Sequence, residues 1–149
     1  MGRRFEGNSD SHRYNDWLER ASEDIASAEL LLSTEKTLDA AAFHCQQCIE
    51  KALKGYILFK THEHVDGHNL TWLCRQAIKS DRQFLMWLDD SVILNRYYIE
   101  TRYPADLPLQ LERETIDRAY TMASDMYKFI CAEVCEENKV GQAQHTIYN

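Results

Sequence analysis

No glycine or proline interrupts the chain from Asn8 to Lys54. Both residues disrupt helix interiors, glycine by about 1 kcal/mol relative to alanine and proline by about 3 kcal/mol. A stretch this long without either, with apolar residues recurring at spacings of three and four, restricts the first third of the chain to helix. The rest follows suit, with five glycines and two prolines in all 149 residues and no period-two strand pattern. The expected fold class is all-α, an up-and-down bundle of four to five helices.

The spacing predicts a first helix from about Tyr14 to Ser33, with Trp17, Ala21, Ile25, Ala28 and Leu32 toward the core. A short link through Thr34 to Leu38 leads to a second helix, about Asp39 to Lys60. Gly55 inside it implies a close helix crossing. Residues 61–68, THEHVDGH, read as a loop with Asp66-Gly67 as its turn. Asn69 is a good N-cap for a third helix that ends near Lys79, with Leu70, Leu73 and Ala77 inward. Between Arg82 and Thr101, Leu85, Leu88, Val92 and Ile99 supply the apolar positions of one long helix or two short ones. Pro104 and Pro108 bracket a loop. A last helix from about Leu111 to Glu136 keeps the rhythm through Ile116, Ala119, Ala123, Met126, Ile130 and Val134. The expected organisation is a flexible N-terminal tail over 1–13, one helical domain over 14–137, and a flexible C-terminal tail over 138–149.

The second helix has a polar side that needs an explanation. Its apolar face is Ala42, Cys45, Ile49, Ala52 and Tyr56. Beside it run His44, Gln47 and Lys51, and then Gln46, Glu50 and Lys54, with Phe43 at the top. Ordinary solvated faces are looser mixtures of lysine and glutamate. Amides, an imidazole and two lysines in register suit a polar ligand or a partner. The plainer account is helix support, because Glu50 and Lys54 are four apart in the favourable order, worth a few tenths of a kcal/mol.

Composition narrows the function classes. Net charge is −7, from 24 acids against 17 bases. Affinity for phosphate backbones grows with the cations set against them, so RNA is a less favoured partner. No run approaches the roughly 20 apolar residues of a membrane span, and the polar start, MGRRFEGNSDSHR, has no secretory h-region. The expected location is the cytoplasm. Five cysteines, at 45, 48, 74, 131 and 135, sit in helical patterns as buried thiols suited to a reducing compartment. Cys45-Gln-Gln-Cys48 falls mid-helix, away from the helix N-terminus where a redox pair gains its low thiol pKa. His62, His64 and His68, with Asp66 among them, could hold zinc or nickel. Ordered metal sites draw on more than one element, so no metal and no cofactor are expected.

Arg96-Tyr97-Tyr98 and Glu100-Thr101-Arg102-Tyr103-Pro104 form an aromatic and basic cluster that could stack a base and hold a phosphate. Packing of the tyrosines at the bundle rim explains the spacing equally well. No nucleophile triad, P-loop or dinucleotide glycine fingerprint is present, and no catalytic residue is assigned.

These pieces together resemble the HEPN domain family. They are Asp24 with Ala28-Glu29-Leu30-Leu31, then Phe43-His44-Cys45-Gln46-Gln47 with Glu50-Lys51-Ala52-Leu53-Lys54, then His68-Asn69-Leu70 with Leu73, and finally Tyr98 to Pro104. The resemblance covers about residues 14–135. It implies a helical bundle that commonly forms a homodimer, often beside a small nucleotidyltransferase partner, and that in some members binds a nucleotide. Other members are metal-independent ribonucleases of toxin–antitoxin and defence systems, with an Arg followed four to six residues later by His. Here Arg102 is followed by Tyr103-Pro104-Ala105-Asp106-Leu107-Pro108-Leu109, with no His. The resemblance therefore points to a non-catalytic module binding a nucleotide or a nucleotidyltransferase. Its site residues would be His44, Gln47, Glu50, Lys51, Lys54, His68, Tyr98, Arg102 and Tyr103. The alternatives are a ribonuclease toxin with a degenerate motif, using Arg102 with His68 or His44, and a purely structural homodimerisation module.

Overall fold

The computed structural model describes residues 10–100, 104 and 111–147, without the side chains of 99, 100 and 147. Its α-helices are α1 (Tyr14–Leu31), α2 (Leu38–Thr61), α3 (Leu70–Ser80), α4 (Leu88–Asn95), the four-residue α5 (Tyr97–Glu100) and α6 (Arg113–Ile147). Short 3-10 turns at Glu35–Thr37 and Arg82–Trp87 join them. Among the described residues there is no strand, as the all-α expectation requires.

α2 is the central element. Ala42, Cys45, Ile49, Ala52 and Tyr56 are fully buried, and they meet Ile116, Ala123, Met126 and Ile130 of α6 in one core. α1 lies along the other side of α2 and contributes Ala21 and Ala28. Small residues there let the two backbones approach. A Cβ added at Gly55 would sit 3.0 Å from Trp17 Cβ and 3.2 Å from the Tyr14 carbonyl oxygen, which is the close crossing expected of this glycine. Trp17 itself is half-buried, and its indole Nε1 donates to the Ser11 carbonyl at 2.8 Å.

α2 ends at His62, whose φ of 60° places it in the left-handed region. Gly67 turns the following loop with φ 100°. Asn69 then caps α3 as its side chain accepts from Trp72 N at 3.0 Å, and Leu70, Leu73 and Ala77 point inward.

Two regions depart from the expected pattern. Leu85 and Val92, expected inside, are 49% and 53% exposed. The 3-10 turn has three residues per turn instead of 3.6, which resets the buried face. Phe84 takes the inward place, 4.5 Å from the Tyr56 ring and 5.2 Å from that of Phe129, and Ser91 and Leu94 follow it. The last helix also runs on to Ile147, well past the expected end near Glu136, and its final turns are exposed.

Candidate functional site

The polar side of α2 is turned toward α1 and the start of α3, and much of it is buried. Gln46 is fully buried, Glu50 is 4% exposed and Lys54 6%. Charges so placed need partners, since an isolated buried ion costs many kcal/mol. Glu50 Oε2 accepts from Lys54 Nζ at 3.3 Å, and Glu50 Oε1 pairs with His68 Nδ1 at 2.9 Å. The Gln46 amide donates to the His68 carbonyl at 3.2 Å and accepts from Gln47 Nε2 at 2.8 Å. Lys54 Nζ also lies 5.7 Å from the Trp17 ring centroid, a cation–π distance.

A second carboxylate sits one turn nearer the start of α2. Asp24 of α1, also buried, pairs with His44 Nδ1 at 2.8 Å through one oxygen and with Lys51 Nζ at 2.6 Å through the other. The seam thus repeats one device. A buried carboxylate grips an imidazole Nδ1 and a lysine. An ionised carboxylate only accepts, so Nδ1 carries the proton in both histidines and Nε2 is the remaining ring nitrogen. In the neutral ring that atom accepts a hydrogen bond or takes up a proton. The charges balance within the seam: Asp24 with Lys51, Glu50 with Lys54.

Aromatic rings flank the two imidazoles. His68 stacks on Tyr98 with centroids 4.3 Å apart and planes 14° from parallel. Phe43 lies 6.3 Å from Tyr98 and 5.7 Å from His44. The side chain of His68 remains 53% exposed and that of His44 32%. The accessible part of the seam is therefore a shelf of rings with two fixed imidazoles and the half-buried Gln47 and Lys51.

The structure thus brings together His44, Gln47, Glu50, Lys51, Lys54, His68 and Tyr98. Glu50 and Lys54 lie beneath the shelf and hold it. Arg102 and Tyr103 fall outside the described residues. Asp24 and Gln46 complete the seam although the candidate set omitted them. The signal for Asp24 was its place between Ala21 and Ala28 on the buried face of α1, an acid at core spacing that must have a cationic partner.

The cysteines behave as core residues. Cys45 and Cys48 are free, buried thiols, and burial pushes Cys45 up to about 12 and Cys48 upward as well. Neither supplies thiolate at neutral pH. The three loop histidines do not converge: His68 belongs to the seam, His62 closes α2, and His64 packs on Trp17.

A helical bundle organised around the polar seam of its second helix is the class this architecture defines. The family model of the HEPN domain matches residues 14–136, and the chain belongs to the HEPN domain family. Two solved structures share the fold. TT1696 from Thermus thermophilus is 26% identical with a TM-score of 0.67, the match covering 80% of this chain and 97% of that one. ST0689, described as an archaeal HEPN homologue, is 22% identical with a TM-score of 0.65, covering 82% and 98%. A search of curated proteins gives no match. Among the described residues no helix is long and apolar enough to cross a membrane.

Proposed function

We propose that this HEPN domain protein is a binding module, and that its ligand is a nucleotide, or a nucleotidyltransferase subunit, seated on the shelf formed by His44, Gln47, Lys51, His68 and Tyr98. The observation that carries this reading is the half-exposed His68 ring, stacked on Tyr98 and fixed through Nδ1 by the buried Glu50. A ring held this way is preorganised to stack against a base and to offer Nε2 as a hydrogen-bond acceptor. Because Asp24 already neutralises Lys51, recognition draws more on stacking and hydrogen bonds than on phosphate charge. Arg102 and Tyr103, nearby in sequence, would add the phosphate contact and a further ring.

Calorimetry with ATP, GTP, UTP and CTP tests the small-ligand form. Micromolar binding is expected for at least one, weakened tenfold or more by His68→Ala or Arg102→Ala with the fold intact. No heat with any of the four overturns it. Capture of a nucleotidyltransferase on the immobilised protein, lost in the same variants, then tests the partner form. Homodimerisation is part of the proposal, and light scattering that gives a strict monomer at high concentration removes it.

One observation favours a second reading. Two imidazoles, each with Nδ1 on a buried carboxylate, are oriented as acid–base groups usually are. A degenerate ribonuclease using Arg102 with His44 or His68 would exploit that. Incubation with cellular RNA decides, and cleavage that survives both His44→Ala and His68→Ala excludes this use of them.

A further inference from the structure

The loop between α2 and α3 meets the residues that precede α1 at a place that touches the seam only through the Trp17 ring. His64 packs against Trp17 with ring centroids 5.2 Å apart, and its side chain is only 5% exposed. Its Nε2 is buried without a hydrogen-bond partner, although Asp10 Oδ2 lies 3.3 Å away. The oxygen is near enough for charge attraction but off the line that a hydrogen bond requires. At the other ring nitrogen, Nδ1, Asp66 Oδ1 stands 3.5 Å away. One donor atom from each of Asp10, His64 and Asp66 fits within a 4.8 Å span. The His12 ring stands edge-on to that of His64, centroids 6.3 Å apart.

A buried nitrogen left unbonded costs about 1–3 kcal/mol. A cation on Nε2 removes that cost. The spacing also suits one. Two ligands on a tetrahedral zinc, at metal distances near 2.0–2.2 Å, stand about 3.3–3.6 Å apart, and Asp10 Oδ2 is 3.3 Å from His64 Nε2. Carboxylates alone would suit magnesium or calcium, whereas an imidazole shifts preference to zinc and its first-row neighbours. The ligands come from two separate segments, which the loop by itself could not provide. Asp10 and Asp66 have exposed carboxylates that can adjust by side-chain rotation.

We propose that Asp10, His64 and Asp66 form a zinc-class divalent-cation site, which the exposed His12 would join as a fourth ligand only by turning inward. The bound ion would tie the segment before α1 to the α2–α3 loop over Trp17. The site is structural in kind and does not depend on the seam's ligand.

Full-length protein stripped by chelator and titrated with Zn²⁺ is expected to bind one equivalent in calorimetry. Co²⁺ in its place is expected to give the intense visible absorption of a four-coordinate ion. Asp10→Asn and Asp66→Asn, both at exposed side chains, should each weaken Zn²⁺ binding at least tenfold without changing Tm of the stripped protein. Cys135→Ser and His145→Ala should leave binding unchanged. The absence of stoichiometric binding, or binding indifferent to both aspartate variants, overturns the site. A weak six-coordinate Co²⁺ spectrum overturns its tetrahedral geometry.

Discussion

The protein anchors imidazoles against carboxylates in two places, and they differ in completeness. Along the polar seam of α2, each charged or amide side chain drawn inward meets a partner: Asp24 holds His44 and Lys51, and Glu50 holds His68, Lys54 and Gln46. On the helix's apolar face, by contrast, the Tyr56 hydroxyl is buried without a hydrogen bond. Beside Trp17, the more deeply buried imidazole of His64 keeps a nitrogen with no hydrogen bond, only the Asp10 carboxylate 3.3 Å away. The first is a finished network that rigidifies the surface above it. The second leaves one polar atom over, and that atom is where the proposed cation would bind. Burial therefore fixes side chains in both, but only the seam is self-sufficient, and removing a partner should hurt the two regions very differently.

The largest effect is expected at the centre of the seam. Glu50→Ala leaves Lys54 buried without its carboxylate, a change that costs about 3–5 kcal/mol for a buried pair. Urea denaturation measures it. The double variant Glu50→Leu with Lys54→Met should recover much of the loss, because two apolar groups leave no unpaired charge. A loss below about 1 kcal/mol for Glu50→Ala would mean that water reaches the seam and that the network is not closed.

Gly55 tests the packing that keeps the seam dry. An alanine Cβ there meets Trp17 Cβ and the Tyr14 carbonyl, atoms fixed to the α1 backbone that cannot swing aside. Overpacking of this kind costs about 1–3 kcal/mol, offset by about 1 kcal/mol of helix propensity. A net loss of about 0–2 kcal/mol is expected for Gly55→Ala in thermal or urea unfolding. A stabilised variant would show that α1 can move off α2 at little cost.

Asp24→Asn probes the rim of the same network. Hydrogen bonds to charged groups contribute about 1.5–3 kcal/mol, but His44 and Lys51 are partly exposed and water screens them. About 1 kcal/mol is expected after that discount. The His44 imidazole should also lose its fixed tautomer, visible in its nitrogen NMR shifts. An unchanged tautomer would show that Asp24 is not what orients the ring.

Residues differ in how readily the sequence exposed these regions. The apolar faces of α2 and α6 were legible because a 3.6 period repeats over many turns without Gly or Pro, save Gly55, which itself marked the crossing, and Gly141 in the exposed last turns of α6. Leu85 and Val92 were misplaced because a 3-10 turn changes the period, and nothing in the letters RQFLMW announces it. The polar stripe on α2 was legible as a stripe, yet its burial was not, since burial of Glu50 and Lys54 depends on α1 and α3 arriving from elsewhere. Asp24 was visible in principle as an acid between Ala21 and Ala28. The pairing of Asp10 with His64 was not, because it joins segments that only the folded bundle brings together.

His64 offers the smallest expected loss and the sharpest contrast. An unsatisfied buried polar atom contributes nothing that an apolar ring of similar shape cannot supply, and exchanging it for one is nearly neutral or stabilising. In chelator-treated protein, His64→Phe should therefore leave stability unchanged or raise it, at most by the cost of the unbonded nitrogen, about 1–3 kcal/mol. The ring keeps its packing on Trp17, and the lost attraction to the exposed Asp66 carboxylate is screened. His68→Phe provides the control, since it keeps a ring on Tyr98 but strips Glu50 of a partner. A loss of about 1 kcal/mol or more is expected there. Equal losses for the two variants would show that His64 is as fully satisfied as His68, and the distinction between a complete and an incomplete site would fail.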